Sequence, residues 1–167
     1  MIRAEGVRIV DASPEDAEAI LALQKLAYAS EARRYDDWTI PPLVETLDSV
    51  RRDIAQHVVL KAIVDGRLAG TVRGVAKDGV CEVCRFSVDP ALQRRGIGSA
   101  LIQAVEQRFP TIEAFTLFIG NRSVENLRLY ERHGYRHVGT KVLSPAVSLV
   151  FLRKPGPATP RSTQEPA

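Results

Sequence analysis

The stretch that decides the fold is Val88-Asp-Pro-Ala-Leu-Gln-Arg-Arg-Gly96-Ile-Gly98-Ser-Ala100. A strand-like run, Val80 to Val88, leads into it, and a run with helical spacing (Ile97, Leu101, Val105, Phe109) leads out. A strand that turns sharply into a helix aims several backbone N–H groups outward, because the amides of a helix's first turn have no acceptor within the helix. The helix dipole favours an anion at the same place. Gly96 and Gly98 let a ligand reach the backbone without meeting a Cβ, and Arg94 and Arg95 add cations, at least one facing out. The turn therefore reads as a phosphate-binding corner. The plainer alternative is an ordinary strand-to-helix turn with glycines for tightness. That alternative leaves the arginines unexplained.

Other phosphate-binding loops fit less well. A dinucleotide fingerprint needs a third glycine, where Ala100 and Leu101 stand instead, and an early position in a βαβ unit. A Walker loop needs Gly-Lys-Ser/Thr, which is absent from the turn.

The chain of 167 residues with 45% hydrophobic content suits a single domain with a full core, placed at 1–154. The segment 155–167, rich in proline and polar residues, reads as a disordered tail. A net charge of +3 without a long basic block argues against nucleic acid as the main partner. No run reaches membrane-spanning length and no signal-peptide pattern opens the chain, so a cytoplasmic protein is expected. Cys81 and Cys84 lie in a strand-like run, where residues three apart point to opposite faces; a shared metal or disulfide is not expected. His57, His133 and His137 form no ligand cluster by spacing, so no metal is expected.

Read in order, Val7 to Val10 is a strand. Ser13-Pro14-Glu15-Asp16 then starts a helix reaching about Tyr28. Glu31 to Pro42 reads as a loop, with Tyr35 and Trp38 either walling a substrate site or pinning the loop to the core. A second helix is expected from Pro42 to about Ile54. Strands follow at Gln56–Val64, Leu68–Ala76 and Val80–Val88, joined by turns at Asp65-Gly66 and Lys77-Asp78-Gly79. After the helix at Gly96–Phe109 comes a strand at Ala114–Ile119, parallel to Val80–Val88 by a right-handed crossover. Ser123 caps the next helix, Gly134 ends it, and two antiparallel strands (Tyr135–Leu143, Val147–Leu152) close the chain.

The residue order adds a resemblance. Gln93-Arg-Arg-Gly96-Ile-Gly98 resembles the Gln/Arg-x-x-Gly-x-Gly/Ala fingerprint of the GNAT superfamily of acyl-CoA-dependent N-acetyltransferases. Asn121-Arg-Ser-Val-Glu-Asn126-Leu-Arg-Leu-Tyr130-Glu-Arg-His-Gly134-Tyr135 resembles that family's second motif, Asn…Leu-Tyr-x-x-x-Gly-Phe/Tyr. The two stand in the family's order and spacing, and the likeness covers roughly Val58 to Val142. It implies an α/β fold in three layers: a mixed, mostly antiparallel sheet of six or seven strands, helices on both faces, and two central parallel strands that splay apart.

The resemblance implies transfer of an acetyl group from acetyl-CoA to a primary amine of a small molecule or peptide by direct attack. The alternative is a non-catalytic acyl-CoA-binding sensor of the same fold. The cofactor would be held by backbone around Gln93, Arg94, Arg95, Gly96, Ile97, Gly98 and Ser99, and by Phe86, Ser87 and Val88 on the preceding strand. Asn121 and Asn126 fit hydrogen-bonding positions nearby, although Asn126 could instead satisfy loop backbone. Tyr130 aligns with the family's proton-donating tyrosine, whereas helical periodicity alone would also pack it against Leu127. Glu82 is the candidate base, with burial in an apolar run raising its pKa; it could equally face solvent or pair with Arg85 or Arg73. Tyr35, Trp38 and Glu45 are the candidate acceptor wall. The acceptor amine is not specified, and a homodimer is left open because relatives are often dimers.

Overall fold

The computed structural model describes residues 6–158. A first strand, β1 (Val7–Asp11), is followed by a single tight turn at Pro14–Asp16 and helix α1 (Ala17–Tyr35). The Asp16 carboxylate accepts from the Ser13 N–H at 2.8 Å, which anchors the start expected from Ser13-Pro14. Helix α1 runs a further two turns beyond Tyr28, so Glu31 to Tyr35 are helix and not loop. No glycine or proline interrupts this segment, and Arg33 and Arg34 suit a helix C-terminus. The helix stops at Asp36, which takes a left-handed conformation at φ 49°.

The second expected helix is in fact two: α2 (Pro41–Val44) and α3 (Leu47–Gln56). Glu45 is extended between them, and Thr46 caps α3 by accepting from the Ser49 N–H. Strands β2 (Val58–Val64), β3 (Arg67–Lys77) and β4 (Val80–Val88) form an antiparallel meander. Its turns place Asp65-Gly66 and Asp78-Gly79 at positive φ, as two-residue hairpin turns require. Helix α4 (Ile97–Gln107), β5 (Ala114–Gly120), α5 (Val124–Arg132), β6 (Arg136–Ser144) and β7 (Val147–Pro155) complete the order.

The seven strands form one sheet in the order β1-β2-β3-β4-β5-β7-β6. Only β4 and β5 pair in parallel among the described residues, and their ladder is short: Val80 with Ala114, Cys81 with Phe115 and Glu82 with Thr116. Beyond it β4 stays with β3 as far as Val88, while β5 stays with β7 as far as Gly120. The two central strands therefore diverge toward their C-terminal ends.

Each face of the sheet carries helices. One core joins Leu60, Ala62, Val72, Val83, Phe115 and Leu117 to Ile97, Leu101, Ile102 and Val105 of α4, and includes Tyr130 and Tyr135. The opposite face, through Val59, packs against Ala17 and Ile20 of α1 and Val50 of α3. Helix α4 lies close to the sheet because β3 offers glycine beneath it: a Cβ on Gly70 would stand 2.8 Å from Leu101 Cδ1.

The start of the expected disordered tail proves to be ordered. Strand β7 includes Pro155, Gly156 is buried, and the N–H groups of Gly156 and Ala158 donate to the carbonyls of Glu113 (2.7 Å) and Ile112 (3.2 Å). Residues 159–167, the rest of that segment, lie outside the described residues.

Candidate active site

The divergence of β4 from β5 opens a cavity of about 700 Å³. Past Glu82 the edge of β4 that faces β5 has no ladder partner. Extended backbone with free donors and acceptors is what an amide-bearing chain can pair with.

At one end of the cavity stands the glycine turn. Arg94 (φ 65°) and Gly96 (φ 77°) are both left-handed, folding the backbone tightly around the start of α4. The first helical bond there runs from the Ala100 N–H to the Gly96 carbonyl at 3.0 Å, so the preceding amides have no acceptor in the helix. Ser99 Oγ lies 3.0 Å from Nε2 of His133, joining the start of α4 to the end of α5. Gly98 serves packing as well as access: a Cβ there would meet Phe86 Cζ at 2.9 Å and Leu129 Cδ2 at 3.3 Å.

Tyr130 stands on another wall. Its ring meets Phe86 edge to face, and the same ring packs on Tyr135 at 5.6 Å. Burial pushes the Tyr130 phenol well above the usual tyrosine range, so it is protonated at neutral pH.

Of the residues expected at the site, Glu82, Phe86, Ser87, Val88, Gln93, Arg94, Gly96, Ile97, Gly98, Ser99, Asn126, Tyr130 and Tyr35 all line this cavity. Four others do not. Arg95 is exposed outside the cavity lining, leaving Arg94 as the cation of the turn. Asn121 is bound to β7: its N–H donates to the Ser148 carbonyl (2.9 Å), and its Oδ1 accepts from the Ser148 N–H (3.0 Å). Trp38 is 52% exposed, with the Arg33 guanidinium over its ring. The Glu45 side chain, 6% exposed, is committed elsewhere. Arg73 grips both its oxygens at 2.9 Å, and Gln24 Nε2 and Ser49 Oγ donate at 2.9 and 2.8 Å. Burial acts to raise the Glu45 carboxyl, but the Arg73, Gln24 and Ser49 hydrogen bonds outweigh it and hold the pKa down to about 2.

Glu82 lines the cavity but is exposed, so the burial expected to tune it is absent. It does not pair with Arg73, whose partners are Glu45, Asp53 and Gln24. Tyr35 does two things at once. It lines the cavity, and its hydroxyl accepts from the Arg122 N–H at 2.7 Å. Ser123 sits at the start of α5, yet its hydroxyl donates to the Glu31 carboxylate of α1 (2.8 and 2.9 Å) instead of capping its own helix.

Tyr28, Glu31 and Arg85 are among the lining residues that the sequence did not single out. Arg85 had a visible signal, a cation inside an apolar strand, but its orientation depends on a bulge. Thr71 pairs with Ser87 and Arg73 with Cys84, so Arg85 and Phe86 together oppose Val72. Arg85 is left-handed at φ 50°. A long side chain there costs about 1–3 kcal/mol, and such strain gathers at functional sites. Among the described residues, the non-glycine residues at positive φ are three aspartates at turns and a helix end, plus Arg85 and Arg94, both on the cavity wall. Cys84, also on the wall, is a thiol whose pKa burial raises to about 11, so it is not a thiolate at neutral pH.

Comparison with known proteins agrees with this architecture. Residues 19–135 match the family described as the acetyltransferase (GNAT) family. The S-(2-succino)cysteine N-acetyltransferase of Bacillus subtilis is 27% identical over 150 residues, 83% of this chain and 90% of that protein. The mycothiol acetyltransferase of Propionibacterium freudenreichii is 27% identical over 153 residues, 83% of this chain but 46% of that protein. The chain spans about half the length of two of the curated relatives it matches. Among solved structures, the PaiA N-acetyltransferase of Thermoplasma acidophilum in complex with coenzyme A superposes with a TM-score of 0.74 at 16% identity, covering 89% of this chain and 98% of that one. With the family matched from α1 to the end of α5 around a cleft between splayed parallel strands, the chain belongs to the GNAT acetyltransferase family.

Proposed function

We propose that the chain transfers an acetyl group from acetyl-CoA to a primary amine of a small molecule or peptide. The observation that carries this is a single cleft with the unpaired first amides of α4 at one end and a protonated, buried tyrosine on its wall. The residues fit the cofactor: left-handed Arg94 and Gly96 expose the first amides of α4 for a diphosphate, and the unpaired edge of β4 at Phe86 to Val88 suits an amide-bearing arm. Both named curated relatives are acetyltransferases, which supports the same chemistry.

When bound, acetyl-CoA supplies the activated thioester. Tyr130 holds a proton at its hydroxyl for the departing thiolate, and the edge-to-face contact with Phe86 fixes the ring against the strand that carries the arm. Asn126 and Ser99 offer polar groups along the same wall. Glu82, exposed at the cavity, accepts the ammonium proton directly or through water before the amine attacks. A cytoplasmic location belongs to the same proposal.

The test is a screen of the purified chain with acetyl-CoA over a panel of amines, following free thiol and the acetylated product by mass. Product formation above the amine-free control supports the reading. Tight acetyl-CoA binding with no product from any amine sinks it and leaves a binding sensor.

A further inference from the structure

We propose that Arg85 binds a carboxylate of the acceptor, so that the amine acetylated here is that of an amino acid and not of a simple amine or polyamine. This rests on the transfer reading for the acceptor's presence, while the charge argument stands on the cleft itself.

The bulge is what makes Arg85 available. In a regular strand, residues two apart share a face, so Arg85 would join Val83 in the core beneath α4. The extra residue turns it instead to the face of Arg73, where its Nε reaches Glu45 Oε1 at 3.3 Å. Arg85 lines the cavity, and its side chain is 24% exposed.

Its charge is only partly answered. Glu45 is already shared among Arg73, Gln24 and Ser49, so Arg85 receives one long bond to it. Asp53 is bound by Arg73 at 2.7 Å. Among the described residues, Nη1 and Nη2 of Arg85 hydrogen-bond no protein group. A planar guanidinium with its fork free, in a half-enclosed cleft, is the group best shaped to take a carboxylate through two parallel bonds. Glu45 and Nε hold the fork in place, as a rigid recognition group requires.

The opposite charge is present on the same wall. Glu31 lines the cavity one helical turn after Tyr28, and Tyr28 stands close enough to Arg85 to feel its charge. Ser123 and Arg34 orient the Glu31 carboxylate. A zwitterionic acceptor thus finds an anion for its ammonium and a cation for its carboxylate across one cleft.

The experiment compares free L-amino acids, including S-(2-succino)cysteine, with their carboxamides and decarboxylated amines, using the thiol-release assay on wild type, Arg85→Gln and Arg85→Lys. Calorimetry with coenzyme A confirms that each variant is folded and cofactor-competent. The expected result is a preference of roughly 100-fold in kcat/KM for acids over carboxamides, abolished by Arg85→Gln and partly restored by Arg85→Lys. Equal use of acids and carboxamides by wild type, or an undiminished preference in Arg85→Gln, overturns the assignment. A second arm titrates the same compounds into the protein saturated with coenzyme A. If nothing turns over but acids bind with an affinity that Arg85→Gln removes, the carboxylate site stands and the transfer reading falls. If no acid binds in an Arg85-dependent way, the carboxylate site falls.

Discussion

The rings of Phe86 and Tyr130 meet edge to face with centroids 5.9 Å apart and planes at 62°. One comes from the strand that borders the cleft and the other from the helix that closes it. The phenol is therefore positioned by the element proposed to hold the cofactor's arm, and Phe86 in turn sits over Gly98 at the start of α4.

Tyr130→Phe keeps these ring contacts and removes only the hydroxyl. The expected outcome is a fall in kcat of roughly 100-fold with unchanged acetyl-CoA affinity, measured by steady-state kinetics and calorimetry. Because burial raises the phenol's pKa, the wild-type rate should show no descending limb near pH 10, the ordinary tyrosine value. A descending limb there that Tyr130→Phe eliminates would contradict the placement.

Gly96→Val puts a β-branched residue at φ 77°, beside the amides proposed to take the diphosphate. Loss of coenzyme A binding by calorimetry is expected. Gly98→Ala acts differently, pushing Phe86 and Leu129 aside, and should destabilise by about 1–3 kcal/mol in a denaturant titration.

Glu45→Gln leaves Arg73, itself only 1% exposed, without the carboxylate that grips it on two nitrogens. Asp53 still answers part of the Arg73 charge, so a loss of about 1–3 kcal/mol in chemical denaturation is expected. In the wild type the folded carboxyl titrates at about 2, below its ordinary 4.5. Its contribution is therefore fully present above about pH 4.5 and fades as the pH falls toward 2. Glu45→Gln should flatten the stability profile across that window.

Tyr35→Phe deletes the acceptor of the Arg122 N–H. It should cost about 1 kcal/mol and accelerate hydrogen exchange at that amide.

The strands were legible because their turns are explicit. Asp65-Gly66 and Asp78-Gly79 set the meander, and Val80–Val88 has the observed bounds. The glycine turn and Tyr130 were legible as motifs, and the structure brings both to one cleft. What escaped was whatever depends on partners far along the chain. Glu45 read as part of the acceptor wall, but Arg73, twenty-eight positions later, draws it into the interior. Trp38 read as a wall, yet nothing in its own neighbourhood dictated that it turn outward beneath Arg33. Arg85 was visible as a charge, but its direction follows from the register between two strands, which no local pattern contains. Asn121 matched a motif position, and its amide is spent on Ser148.

The attachment of Tyr35 and Glu31 to Arg122 and Ser123 has a mechanical consequence. Helix α1 rides on β4 and is riveted to the loop after β5, so it acts as a crossbar between the two arms of the sheet. The aperture is thereby set in advance, and ligand entry does not require the arms to spread. Calorimetric binding should show little heat-capacity change beyond that of the surface covered, and the gap between Glu82 and Gly120 should be the same width before and after loading.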